Sequence, residues 1–172
     1  MLLLFMAVLL CQCGYSNPYV RSNSPGDEPI TLYMTTWQNR TNELGLESKY
    51  LRSLTSWYKK SGRIHVVFNE EKADLKLTGE ITSIDLPGIF YDSFDEALEI
   101  EIKLTVNFSL YDNRSKSIVW QEKDYTVYEP FLLDPKGEQT EYNKNQALLY
   151  IGDEIAEFIY LRTNEIAGDT AR

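Results

Sequence analysis

The chain is predicted to be an α/β (α+β) protein: a two-layer sandwich whose mixed β-sheet of four to five strands carries two helices on one face. Three observations predict it. Leu98, Ile100, Ile102, Leu104, Val106, Phe108 and Leu110 fall on every second position, with Glu99, Glu101, Lys103, Thr105, Asn107 and Ser109 between them. That is the period of a strand with one dry face and one wet face. The run is about twice the usual strand length, which places it centrally in an antiparallel sheet. Two other stretches, 44–61 and 141–162, repeat apolar residues three and four apart, as amphipathic helices do. Two such helices suffice to roof the dry face, so the opposite face is left polar.

Length and composition narrow the class. At 172 residues, 43% hydrophobic and 13% aromatic, the chain is long enough for one covered core and is not disordered in composition. Its formal charge of −9 argues against nucleic acid as the main partner, since phosphate binding needs a basic excess. No stretch reaches the ~20 apolar residues of a spanning helix.

The first ten residues, MLLLFMAVLL, are wholly apolar and run into Cys11-Gln12-Cys13-Gly14-Tyr15. This fits the apolar core of a secretory signal over residues 1–12. A cysteine just after such a core is where bacterial lipoprotein signals are cleaved and the new terminus acylated. Leu10 stands at −3 from Cys13, so Cys13 is the expected lipid acceptor and Cys11 the alternative. Gln12 at −1 departs from the usual Gly or Ala, and no Lys or Arg precedes the apolar run. An upstream start, a weak signal and an ordinary cleaved signal stay open. These are the only cysteines, and with His65 the single histidine a thiolate metal site is not expected.

Residues 13–29 then read as a lipidated terminus and flexible tether rich in Ser, Asn, Pro and Gly. A single domain is expected over 30–164. Its first strand is 30–37, followed by a polar turn in which Thr41 or Asn42 would cap a helix. That helix, 44–61, has the stripe Leu46, Tyr50, Leu51, Leu54, Trp57 and Tyr58. Lys59 and Lys60 would lie in its last turn, with Gly62 at the position tolerating positive φ. A short strand follows at 64–68, then one over 73–86 whose phase slips between Ile81 and Ile84, as a β-bulge requires. An acidic, aromatic loop (87–97) precedes the long strand. A turn over 112–116 leads to a strand at 118–128, an irregular segment at 129–138 and the second helix. The tail, 165–172, is expected to fray.

Several pieces in this order are similar to one known family. Cys13-Gly14-Tyr15 after the leader, Trp37-Gln38-Asn39-Arg40-Thr41, and Leu44-Gly45-Leu46-Glu47 resemble the lipopolysaccharide-assembly lipoproteins, the LptE family. So do Gly62-Arg63-Ile64, residues 73–81 (ADLKLTGEI) and Ser117-Ile118-Val119-Trp120. The hairpin tip differs: Ser115-Lys116 stands where the family often has Thr-Gly, so Asn113 would take any positive φ. The resemblance implies a lipid-anchored protein on the periplasmic face of a Gram-negative outer membrane. It also implies that the protein plugs the β-barrel LptD, helps it assemble and takes part in delivering lipopolysaccharide to the surface. A barrel lumen is polar, and Thr105, Asn107 and Ser109 on the wet face are the candidate barrel-facing residues.

Lipid A phosphates favour Arg and Lys. The candidates for such contacts are Lys59, Lys60 and Arg63, which a helix terminus would equally explain, and Arg114 and Lys116 at a protruding hairpin tip. Asp92, Asp95, Glu96, Glu99 and Glu101 do not match a calcium-loop spacing and read as a solvated acidic segment. His65 reads as structural, and Asn39-Arg40-Thr41 as a chance glycosylation sequon. No nucleophile elbow, phosphate-binding glycine loop or paired histidine ligands appear, so no catalytic residue, metal or cofactor is expected. Two further readings remain: a periplasmic lipoprotein adaptor of a cell-wall machine, and a carrier of lipid or another small ligand beneath the helices.

Overall fold

A computed structural model of the protein describes residues 29–91 and 97–170, without the side chains of 88–98 and 169–170. The signal, Cys11, Cys13 and tether expected before residue 29, and Asp92, Asp95 and Glu96, lie outside the described residues. Among those described, the order is β1 (Ile30–Met34), β2 (Gln38–Asn39), α1 (Leu46–Tyr58), β3 (Ile64–Val67) and a 3-10 turn (Glu70–Lys72). Then come β4 (Leu75–Tyr91), β5 (Ala97–Asp112), β6 (Ser117–Leu132) and α2 (Thr140–Thr170). The strands form one mixed sheet in the order β3-β1-β4-β5-β6, with β2 paired to β4. β1 runs parallel to β3 and β4, whereas β4, β5 and β6 form an antiparallel meander. The predicted α+β class, with an open sheet and the long strand flanked by two antiparallel neighbours, is what the structure shows.

The alternation of β5 places Ile102, Leu104, Val106, Phe108 and Leu110 under the helices, all at 2% exposure or less. Trp37 joins them from the β1–β2 connection, its ring stacked on Phe108 (22° between planes) and edge-on to Tyr50 of α1 (centroids 6.4 Å). Gly79 makes room for that indole, because a Cβ there would fall inside the Trp37 ring. Gly152 of α2 likewise receives Tyr50, whose ring lies 2.5 Å from where a Cβ would sit. The helices are also joined by Tyr58 Oη donating to Thr163 Oγ1 at 2.8 Å.

Most elements lie where the periodicity places them, and the phase slip in β4 is a register shift between Ile81 and Ser83. The differences have local causes. β4 continues to Tyr91 and β6 to Leu132, through segments read as loop, because both stay paired to the long β5. Pro130 is tolerated since β6 is an edge strand, where a missing N–H breaks no ladder. α1 begins after Gly45 (φ 81°) with no side-chain cap. Thr41 serves the preceding turn instead: its N–H and hydroxyl donate to Asn39 Oδ1, and its Oγ1 accepts from Glu43 N–H at 3.2 Å, ahead of the helix.

α1 also ends earlier than expected, at Tyr58, so Lys59 is its C-cap and Lys60 lies beyond the helix. Lys60 N–H and Ser61 N–H close the turn on Trp57 O and Tyr58 O, and Gly62 does not adopt positive φ. At the hairpin tip the left-handed residue is Lys116 (φ 57°) rather than Asn113. Asn113 is committed elsewhere: its amide donates to Ala73 O at 2.7 Å and Glu70 O at 3.2 Å. The tail expected to fray from residue 165 is helical through Thr170. Ala167 there is buried and its carbonyl accepts from Arg63 Nη2 at 2.7 Å, which ties down the last turn.

Candidate functional site

The face of the sheet away from the helices is polar and carries a shallow depression of about 530 Å³. Alternation in three adjacent strands builds it: Thr78 and Glu80 of β4, Asn107 and Ser109 of β5, Gln121 and Lys123 of β6. The β1–β2 connection adds Thr35 and Thr36, β2 adds Gln38, and Arg40 and Lys76 complete the rim. The floor is tied together from within. Gln121 Nε2 donates to Ser109 Oγ at 3.1 Å, and Asp124 N–H donates to Asn107 Oδ1 at 2.8 Å. Arg40 is ion-paired with Glu80, and Lys76 with Glu70.

Of the three residues expected to face a partner, Asn107 and Ser109 therefore line this depression. Thr105 lies on the same face but is 8% exposed. Its hydroxyl is 3.3 Å from that of Thr126 and its carbonyl accepts from Thr82 Oγ1, so neighbouring strands cover it.

The cationic candidates form two separate groups. Lys59 and Lys60 are exposed beyond the end of α1, with Lys60 Nζ 3.9 Å from the centroid of Trp57. Arg63, close by in sequence, is turned to the end of α2. At the hairpin tip Arg114 Nη2 and Nε meet Asp74 Oδ1 at 2.5 and 3.0 Å, while Lys116 is exposed. Asp74 was not singled out by sequence, yet it organises that end of the sheet. Its Oδ2 accepts from Thr31 N–H at 2.8 Å and Thr31 Oγ1 at 2.7 Å. Burial alone would raise its pKa, but these bonds and then the Arg114 guanidinium hold the carboxyl below its ordinary value.

Asn39-Arg40-Thr41 has a structural role that its sequon pattern does not reveal. Asn39 Oδ1 closes an Asx turn on Thr41, while its amide donates to Glu43 O at 2.8 Å and Glu47 Oε2 at 3.1 Å. This network leads the chain from β2 into α1 and leaves Arg40 on the rim of the depression. His65 is exposed on the edge strand β3. Among the described residues no group of three or more His, Cys, Asp or Glu is placed to hold a metal, and no helix is long and apolar enough to cross a membrane.

The fold is shared with solved structures of bacterial proteins. The rare lipoprotein B of Shewanella oneidensis is 12% identical, with a TM-score of 0.57, covering 83% of this chain and 99% of that one. A protein of Xanthomonas campestris is 15% identical, with a TM-score of 0.54, covering 88% and 94%. At such identities the likeness concerns the fold. No curated protein sequence matches. Residues 31–163, running from β1 into α2, match the family model described as lipopolysaccharide-assembly. The chain thus belongs to the LptE family and is a lipopolysaccharide-assembly lipoprotein of the cell envelope.

Proposed function

We propose that the protein is held on the periplasmic face of the outer membrane by a lipid at Cys13. There it plugs and helps assemble the LptD β-barrel, and takes part in moving lipopolysaccharide to the surface. The observation that carries this reading is the one-sided architecture. Both helices pack on one face of the sheet, and the other presents amides and hydroxyls matched to a polar lumen wall. Asn107 and Ser109 supply the central contacts to that wall, with Thr105 beneath them. Lys59, Lys60 and Lys116 are the exposed cations for lipid A phosphates. Arg63 and Arg114 join them only by giving up Ala167 O and Asp74.

A carrier reading is disfavoured because the centre of the space beneath the helices is filled by Trp37, Tyr50, Phe108 and their neighbours, which leaves an open cleft of about 770 Å³ between α1 and β3. The proposal is tested by depletion in a Gram-negative host, staining surface lipopolysaccharide and following barrel assembly. Loss of staining with misassembled barrel is expected. Normal staining over normally assembled barrel would defeat it.

A further inference from the structure

The open face contains an irregularity in the β5–β6 ladder. Between Val106 and Phe108 the β5–β6 register shifts, so Lys123 and Asp124 stand opposite the single residue Asn107. Asp124 takes φ 54°, a left-handed conformation rare for a residue other than glycine, and Asn107 Oδ1 holds its N–H. Such bulges commonly re-aim a side chain, and left-handed residues cluster at functional sites. Here the bulge returns Tyr125 and Val127 to the helix side and leaves Lys123 exposed on the rim of the depression. Arg40 and Lys76 are each ion-paired, whereas Lys123 has no ionic partner among the described residues.

We propose that this depression receives an extended, acidic segment of a partner protein, with Lys123 as its ionic anchor. Charge complementarity favours that occupant. In a chain of net charge −9 the depression gathers Arg40, Lys76 and Lys123; Glu80 and Glu70 offset the first two, and Lys123 leaves it positive. Gln38, Gln121 and Asn107 offer amides suited to the N–H and C=O groups of an extended peptide. A sugar is the weaker fit, because its rings need an aromatic platform. The one ring in the lining, Phe108, is 2% exposed and stacks on Trp37 inside the core.

The inference rests on the plug reading only for the partner used in the test. A photo-crosslinking lysine analogue that keeps the side-chain ammonium is placed at position 123, and at Tyr150 on the helix side as a control, in the full-length lipoprotein expressed in a Gram-negative host. Cross-linked peptides are then mapped. The expected result is a cross-link from position 123, absent from 150, to a stretch of the barrel carrying two or more Asp or Glu within a few residues. Lys123→Glu is expected to reduce salt-resistant co-purification of the barrel by about tenfold, Lys123→Gln less, and Lys123→Arg hardly at all. All should unfold at the wild-type midpoint. A cross-link to glycolipid overturns the inference. So does barrel that co-purifies without a cross-link at 123, or with equal salt resistance in Lys123→Glu; both leave the plug reading standing. Failure to recover any barrel defeats the plug reading instead. The inference then stands if the cross-link maps to an acidic stretch of another protein, and falls if it does not.

Discussion

Gly79 and Trp37 are residues whose meaning is relational. In sequence Gly79 continues the alternation of Leu75, Leu77 and Ile81, and nothing marks it; in the fold its missing side chain lets the indole lie against the backbone of β4. Trp37 Nε1 is buried without a hydrogen-bond partner among the described residues. The aromatic packing of Trp37 on Phe108 and Tyr50 must outweigh that cost. Gly79→Ala is therefore expected to destabilise the protein by about 3 kcal/mol, measured by urea unfolding, and an unchanged midpoint would refute the close approach. Asp74 supplies a second residue-level expectation. Its folded pKa lies below the unfolded one, so its contribution is complete above the ordinary carboxylate range and disappears as pH falls through the lower, folded value. Thermal midpoints of wild type should fall over that acid window more steeply than those of Asp74→Asn. Parallel curves would show that Asp74 is not a stabilising group.

Among the elements, the helix pair shows how far local pattern reaches. The apolar stripes of α1 and α2 were legible because 3.6-residue periodicity is a property of neighbouring positions. Their ends were not. Lys59 and Lys60 looked like a last turn, and residues beyond Asn164 looked too small and polar to stay ordered. Both impressions failed against contacts more than 100 positions away: Tyr58 with Thr163, and Arg63 with Ala167. Tyr58→Phe is expected to cost about 1 kcal/mol, since Thr163 keeps its bond to Ile159 O. Arg63→Ala, or truncation after Asn164, should lower the thermal midpoint measurably. A truncated chain as stable as the full one would mean that the last turn contributes nothing.

For the whole molecule, the consequence of packing both helices on one side is a polar sheet face open to a partner. Substituting on that face separates folding from association. Ser109→Trp should leave the unfolding midpoint of the isolated protein nearly unchanged, because its side chain gives up only an exposed hydrogen bond from Gln121. It should nonetheless reduce barrel co-purified from the envelope, because the depression is filled. Normal recovery of barrel would place the contact elsewhere on the molecule.

By itself the sequence determined the class of fold, the central strand, the wet face carrying Asn107 and Ser109, and the resemblance to LptE proteins. All of these are written in short-range periodicity or in contiguous motifs. Tertiary structure alone decided which polar groups are already engaged. Arg114 is bound to Asp74, Arg63 to the end of α2 and Arg40 to Glu80, whereas Lys123, beside the bulge, has no ionic partner among the described residues. The physical reason is that a charge is available or spent according to its neighbours in space, and in a mixed sheet those neighbours come from strands and helices far apart along the chain.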